Sequence, residues 1–217
     1  MPEDGKNRVR DDSPAISRRD FALGAAGSCA VLALGGVKFV PREQLLRPPG
    51  GQDEDWLLAG CLHCEKCREV CPHGVIAPAH MESGLRNVRT PRMDFKAGWC
   101  DFCENVEGGP RCMAVCPTAA LSSADPSKEV IGIAQLKKEW CLAYRGMGCH
   151  ECVDACPYGA LSLDDHGIPV VDGQACNGCG ACEFACISLS SGSLSGTWDA
   201  SAMTDRAITV HPVPREG

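Results

Sequence analysis

Residues 61–72 read CLHCEKCREVCP, a run in which two residues, two residues and then three separate successive cysteines, and a proline closes the run. Three further groups of four cysteines repeat this pattern with variations. Numbered one to four along the chain, the groups contain sixteen of the seventeen cysteines: Cys61, Cys64, Cys67 and Cys71; Cys100, Cys103, Cys112 and Cys116; Cys141, Cys149, Cys152 and Cys156; and Cys176, Cys179, Cys182 and Cys186. Proline follows the last cysteine of the first three groups, and Ile187 follows it in group four.

The spacing of groups one and four is the run with which bacterial ferredoxins hold cubane 4Fe–4S clusters. A tight turn brings three thiolates to one cluster, and the fourth cysteine reaches a second cluster. Sixteen cysteines therefore predict four 4Fe–4S clusters with no ligand left over. We predict that all sixteen are ligands, including those of groups two and three, where the spacing is wider.

Because the fourth cysteine of each group binds the cluster of another group, the four groups must form two pairs. Three pairings are possible. The wide spacings, between Cys103 and Cys112 and between Cys141 and Cys149, occur only in the middle groups. They favour a nested arrangement, group one with four and group two with three. The predicted ligand sets are Cys61, Cys64, Cys67 and Cys186; Cys176, Cys179, Cys182 and Cys71; Cys100, Cys103, Cys112 and Cys156; and Cys141, Cys149, Cys152 and Cys116.

Two other uses of so many cysteines fit the pattern less well. A disulfide scaffold does not require the repeated spacing. A structural zinc-binding module also uses sets of four thiolates with C-x2-C pairs, but it has no need of the recurring spacing and proline. His63 and His150 lie inside groups that already have four thiolates, so we interpret neither as a ligand.

Composition narrows the class of protein. Aromatic residues make up 5 % of the 217 residues, too few for an ordinary hydrophobic core, so clusters are expected to supply much of the folding free energy. The formal net charge of −7 argues against a nucleic-acid partner, which favours a basic surface. The chain has no Gly-x-Gly-x-x-Gly motif and no evident catalytic constellation, which predicts an electron carrier with no catalytic residues of its own.

The N-terminal segment predicts export. Arg18 and Arg19 precede an uncharged, Gly- and Ala-rich run from Phe21 to Val37, which is typical of a twin-arginine signal. The run is at the short limit for spanning a bilayer, so removal after export and retention as a membrane anchor both stay open. We expect the protein in the periplasm or on the outer face of the cytoplasmic membrane.

The predicted fold class is α+β, with tandem or nested bacterial ferredoxin-like modules, two dicluster units and irregular loops. We assign four segments: a signal or anchor at 1–40, an extended linker at 41–55, a four-cluster core at 56–190 and a C-terminal tail at 191–217. The turn Asp164–Gly167 between two apolar runs predicts a β-hairpin with Pro169 on an edge strand. Other predicted elements are a helix over 77–85, a strand over 130–133, a helical turn over 135–140 and a last edge strand over 207–210.

The arrangement resembles the NapG/MauM family of ferredoxin-type proteins over about residues 17–187. Besides the twin-arginine leader and the long opening of group three, the resemblance rests on four stretches: Leu46-Arg47-Pro48-Pro49-Gly50, Trp99-Cys100-Asp101-Phe102-Cys103, Cys116-Pro117-Thr118-Ala119-Ala120-Leu121, and residues 176–183. It implies four 4Fe–4S clusters and a membrane quinol-oxidising iron–sulfur partner. Electrons would pass through this chain to a terminal reductase or cytochrome of a nitrate-reductase-like system.

A second interpretation is the four-cluster electron-transfer subunit of a molybdopterin oxidoreductase of the dimethyl sulfoxide, formate or nitrite type. It uses the same ligand chemistry. Such subunits often have no leader and are exported with a catalytic subunit, so the pair Arg18 and Arg19 argues against it.

Overall fold

The computed structural model describes residues 18–36, 44–123, 129–188 and 206–213. The chain divides into two units, Met1–Val40 and Pro41–Gly217. In the first unit, Arg18–Gly36 form helix α1. Among the described residues, no helix is both long enough and apolar enough to span a membrane.

The second unit is built from short elements joined by tight turns. Its described helices are α2 (Glu54–Gly60), α3 (Lys66–Glu69), α4 (Arg111–Ala114), α5 (Glu151–Asp154) and α6 (Ala181–Ala185). Each of the last four carries the third cysteine of one group, so the repeat seen in the sequence is also a structural repeat. Short 3₁₀ turns cover Met81–Ser83 and Lys138–Trp140.

The described strands form three antiparallel pairs. Strand β1 (Ile76–Pro78) pairs with β2 (Pro91–Met93), β3 (Ile133–Leu136) with β6 (Ile208–His211), and β4 (Leu161–Leu163) with β5 (Pro169–Val171). The β4–β5 pair is the hairpin that the Asp164–Gly167 turn predicts. Its turn is held by the Asp164 carboxylate, which accepts the backbone N–H groups of His166 and Ile168 at 2.9 and 2.8 Å.

Three predicted elements differ in the structure. The helical turn predicted over 135–140 is shorter, because Gln135 and Leu136 lie in β3 and pair with β6, and only Lys138–Trp140 form a 3₁₀ turn. The segment 77–85 is no single helix, because it begins inside β1, and Pro78 disfavours helical backbone at the residue before it. Only Met81–Ser83 make a helical turn. The strand predicted over 130–133 begins at Ile133 instead, and the Ile131 N–H is bonded to the Asn177 carbonyl at 2.9 Å and not to a neighbouring strand.

The residues predicted as a loose linker are part of the core. Pro48 and Pro49 are fully buried, and Arg47 is 2 % exposed. Arg47 donates to Glu54 through both Nε (2.8 Å to Oε2) and Nη2, and to Thr90 Oγ1 at 2.8 Å, the Pro91 carbonyl at 2.8 Å and Asn87 Oδ1 at 3.0 Å. Residues 44–53 form no helix or strand, α2 begins at Glu54, and the Arg47 guanidinium holds this segment to the chain around β2.

Replacing Arg47 with methionine is expected to lower stability by about 3 kcal/mol, because the buried partners lose a charged donor and stay desolvated. The measurement is the guanidinium midpoint at which the anaerobic, reconstituted protein loses its visible absorbance. Arg68→Met is the matched control: that side chain is 55 % exposed and pairs with Glu65 one turn away, so its loss should change stability by about 0.5 kcal/mol or less. Equal midpoints for the two variants would contradict the clamp.

The predicted boundary between core and tail at 190/191 is also wrong, because β6 lies in the core. Ile208 is completely buried, and Ala207 and Val210 are nearly so. Ala207 packs beside Cys141, and the Val210 N–H donates to Glu183 Oε2 at 2.7 Å. The strand predicted over 207–210 is therefore present, and it completes the part of the core around groups three and four.

Candidate iron–sulfur sites

The first three cysteines of group one line a cavity together with the last cysteine of group two. The four thiols are those of Cys61, Cys64, Cys67 and Cys116. Cys61 follows the end of α2, and the loop to α3 turns through left-handed backbone at His63 and Glu65, with φ of 54° and 60°. Burial, together with the neighbouring thiolates of Cys61 and Cys64, raises the pKa of Cys67 to about 11, as expected for sulfurs that face one space.

The last cysteine of group one belongs to the site of group two. Cys71 lines a second cavity with Cys100, Cys103 and Cys112. Burial, together with the thiolates of Cys103, Cys67 and Cys71, raises the pKa of Cys112 to about 12. Groups one and two thus exchange their fourth cysteines.

Groups three and four make the same exchange. Cys156 of group three lines a cavity with Cys176, Cys179 and Cys182 of group four. Burial raises the pKa of Cys179 to about 11, and Cys156 and Cys176 also raise it.

The remaining set joins Cys186 to group three. Burial raises the pKa of Cys152 to about 12, and the next contributions come from Cys186, Cys141 and Cys149. Cys186 also packs against the buried cluster that contains Cys141, so these four cysteines form one set and the second exchange is complete.

The nested ligand sets predicted from the spacing are therefore wrong. The structure assembles Cys61, Cys64, Cys67 and Cys116; Cys100, Cys103, Cys112 and Cys71; Cys141, Cys149, Cys152 and Cys186; and Cys176, Cys179, Cys182 and Cys156, which we call sets one to four. The physical reason lies in the one-turn helices. Helix α3 packs against α4, and α5 against α6, so each fourth cysteine meets the next or preceding group along the chain.

The wide spacings that suggested nesting have a local explanation. Between Cys103 and Cys112 the chain makes turns through Gly108 and Gly109, both with positive φ. Between Cys141 and Cys149 it turns with the Arg145 and Gly146 N–H groups bonded to the carbonyls of residues 142 and 143. The extra residues form loops within their own groups and leave the choice of partner unchanged.

The donor sets suit cubane clusters better than single ions. All seventeen cysteines are free thiols, so the disulfide interpretation finds no support. Among the described residues, no three His, Cys, Asp or Glu side chains converge closely enough to hold one metal ion. A structural zinc site needs four ligands about 2.3 Å from a single point, whereas here three of the four sets of thiols line cavities.

Several polar hydrogens point at the sulfurs. The Ala160 N–H donates to Cys156 Sγ at 3.3 Å, and the Ala134 N–H of β3 donates to Cys176 Sγ at 3.5 Å. Burial by itself would raise the pKa of Cys116, but N–H groups of residues 118, 120 and 121 and the Thr118 hydroxyl outweigh it and lower that pKa. Such bonds stabilise thiolate charge and help to set the potential of a bound cluster.

The histidine and aspartate beside set two were missed by sequence reasoning. His73 Nε2 lies 3.1 Å from Asp101 Oδ2, and the His73 ring stacks on Trp99 with centroids 5.5 Å apart. This contact ties the loop after Cys71 to the loop after Cys100. In the sequence, the only indication of this contact is that both residues closely follow cysteines. That indication becomes useful once those two cysteines are known to share a site.

The two histidines inside cysteine groups lie at the surface. His63 is exposed and also lines the cavity of set one, and His150 Nε2 faces Asp154 Oδ2 at 3.3 Å. That neither is a ligand stays a prediction. Trp140, which precedes Cys141, is half-buried under the Lys137 ammonium, 4.5 Å from the ring centroid.

Family models match two parts of the chain. A 4Fe-4S dicluster domain matches residues 145–189, and a 4Fe-4S binding domain matches residues 61–75. The first match includes seven of the eight cysteines of groups three and four, which agrees with the two groups sharing ligands.

Known proteins match most of the chain. It is 34 % identical over 192 residues to the methylamine utilization ferredoxin-type protein MauM of Paracoccus denitrificans, covering 79 % of this chain and 84 % of that protein. It is 31 % identical over 202 residues to the ferredoxin-type protein NapG of Escherichia coli K12, covering 82 % and 84 %. The chain belongs to the NapG/MauM family of ferredoxin-type proteins. A member of this family with 4Fe-4S domains is an iron–sulfur electron-transfer protein and not a catalytic enzyme.

The NapG/MauM-type chain is also similar to a shorter relative. It is 30 % identical over 149 residues to the ferredoxin-type protein NapF of Escherichia coli K12, covering 65 % of this chain and 79 % of that protein. The fold agrees with these relationships, since the core combines short helices with short strands and repeats one cysteine-bearing turn four times.

Proposed function

We propose that this NapG/MauM-family protein holds four 4Fe–4S clusters and relays electrons from a membrane quinol-oxidising iron–sulfur protein to a terminal reductase or cytochrome outside the cytoplasmic membrane. The observation that carries the proposal is the grouping of all sixteen cysteines into four complete sets of four. Each set suits one cubane cluster, and a bound cluster would accept and release one electron.

The chain's own residues do three things in this role. The sixteen thiols bind iron as thiolates and give up their protons, so loading overcomes the raised pKa of the buried cysteines. The N–H groups of Ala134 and Ala160 stabilise charge on ligand sulfur. Buried apolar residues such as Val75, Ile131 and Leu161 form the core against which the ligand cysteines pack.

Access for a redox partner is best at set one. Cys64 is the exposed member of the sixteen cysteines, and its neighbours Leu62 and His63 are exposed as well. The other fifteen are buried or half-buried. The loop of group one is therefore the most accessible place for electron transfer to or from another protein.

The location and the partners are part of the proposal. The pair Arg18 and Arg19 before an uncharged run supports export by the twin-arginine route, and with it a place in the periplasm or on the outer membrane face. The names of the relatives, NapG and NapF among them, support respiratory redox proteins as partners, and MauM is named for methylamine utilization. We propose anaerobic respiration as the setting and a quinol pool as the source of electrons.

The direct test is the amount of iron and acid-labile sulfide in anaerobically purified protein. We expect about sixteen of each per chain and bleaching of the visible absorbance by dithionite. Membrane vesicles with a reduced quinone pool should also bleach the protein, and an inhibitor of quinol oxidation should prevent it. Zinc in place of iron with no redox response would overturn the proposal. A molybdopterin protein co-purifying in equal amount would favour the oxidoreductase-subunit interpretation instead.

A further inference from the structure

Two contacts join set two to set four. The N–H of Cys100, a member of set two, donates to the carbonyl oxygen of Cys179, a member of set four, at 2.8 Å. Nearby, the rings of Phe102 and Tyr158 meet edge to face with centroids 6.5 Å apart. Phe102 lines the cavity of set two and Tyr158 lines that of set four, so the two sites are separated by this pair of rings.

Two glycines of the group four turn pack closely against Phe95 and Gly132. Gly180, with φ of +80°, lies against the Phe95 ring, and a Cβ at that position would overlap the ring. Gly178, with φ of +76°, lies directly against the backbone of Gly132. A side chain at either position would push the turn away and break the Cys100–Cys179 contact.

Polar contacts hold the same junction. The Ile131 N–H donates to the Asn177 carbonyl at 2.9 Å, and Asn177 Oδ1 accepts the Cys179 N–H at 3.1 Å. The Tyr158 hydroxyl donates to Glu104 Oε1 at 2.7 Å, which ties the residue after Cys156-Pro157 to the loop after Cys103. The junction is therefore held by both side chains and backbone.

Exchanged ligands show which of the other sites are neighbours. Sets one and two exchange Cys116 and Cys71, and sets three and four exchange Cys186 and Cys156. Within the described ranges 44–123 and 129–188, the Cys100–Cys179 bond is the backbone hydrogen bond that links a ligand of one exchanged pair to a ligand of the other.

We propose that the four sites form one line in the order one, two, four, three, and that electrons cross its centre at the Cys100–Cys179 and Phe102–Tyr158 contacts. This inference rests on the proposed function. Electronic coupling falls steeply with distance and is stronger along bonds than through space, and here the route between two ligand sulfurs crosses a single hydrogen bond. One electron leaves set two and enters set four, or the reverse, and no bond forms or breaks.

The experiment measures spin coupling in full-length protein that keeps only two sites. The variant with Cys64→Ala and Cys149→Ala loses sets one and three and keeps the central pair. Its fully reduced form should show a broadened, fast-relaxing electron paramagnetic resonance spectrum. The matched control with Cys103→Ala and Cys176→Ala keeps sets one and three, and it should show two separate, uncoupled signals. Coupling in the control and none in the test variant would overturn the order.

Single variants keep the inference testable if the double variants do not retain two clusters. In the proposed line, Cys176→Ala removes set four and isolates set three, so one uncoupled signal should appear. Cys149→Ala removes an outer site and should leave every remaining cluster coupled to a neighbour. The reverse result would contradict the order. The iron content of the unaltered protein tests the proposed function separately: sixteen iron atoms with the wrong coupling pattern refutes the order alone.

Discussion

Protein that carries Cys61→Ala together with Cys116→Ala is expected to keep three intact 4Fe–4S clusters, whereas Cys61→Ala with Cys186→Ala should leave only two. The structure places Cys61 and Cys116 around one cavity and Cys186 beside Cys152. The first double variant therefore removes two ligands from one site. The second removes one ligand from each of two sites.

The effect is large because each set has four ligands and no replacement. A cluster that has lost two thiolates is not expected to assemble, so the first variant should lose about four iron atoms of about sixteen. A site that has lost one thiolate is likewise not expected to hold an intact 4Fe–4S cluster. The two changes in one set should therefore not add, whereas changes in separate sets should.

The measurement is iron and labile sulfide per chain, together with the integrated spin of the dithionite-reduced protein. Each single variant, prepared in the same way, is the reference for its double variant. Three clusters in the Cys61 and Cys186 variant and two in the Cys61 and Cys116 variant would restore the nested pairing. The experiment thus decides directly between the spacing argument and the observed geometry.

Ending the chain at residue 205 is expected to remove about half of the bound iron, close to eight of sixteen atoms. The deletion takes away β6, whose Ile208 is fully buried and whose Val210 is nearly so. Burial of such side chains contributes about 1.5 to 3 kcal/mol each, and the loss of the β3 pairing adds to this. The total, about 5 kcal/mol, is comparable to the whole stability of a small domain.

The loss should fall on sets three and four, because residues 207–210 pack beside both. Ala207 packs beside Cys141 of set three, and Val210 bonds to Glu183, the residue after Cys182 of set four. Ending the chain after Val213 retains the strand and is the matched control, which should keep all four clusters. Full iron content in the shorter protein would show that the strand is dispensable.

Local features of the site could be predicted from the sequence with good success. The identity of the cysteines, the repeated turn and the β4–β5 hairpin depend on residues a few positions apart. The hairpin is a clear example, because Asp164 accepts two N–H groups of its own turn. The tight C-x2-C-x2-C spacing similarly brings three thiols of one group to one cavity whatever the rest of the chain does.

Features that depend on distant residues were harder to predict. Arg47 in a Pro- and Gly-rich stretch has the composition of a solvated linker, and its partners Asn87 and Thr90 lie some forty positions away. Likewise, nothing near Ile208 indicates that it pairs with Leu136. In both cases a long-range contact overrides a local preference.

By itself, the sequence determined the cysteine groups, the α+β class and membership of a ferredoxin-type family, because ligand spacing and turn chemistry are local. Only the tertiary structure decided which fourth cysteine completes which site. Spacing within a group constrains its own turn, whereas the partner depends on how α3 packs on α4 and α5 on α6. The meeting of Cys100 with Cys179 likewise depends on packing between segments almost eighty residues apart, which no local pattern encodes.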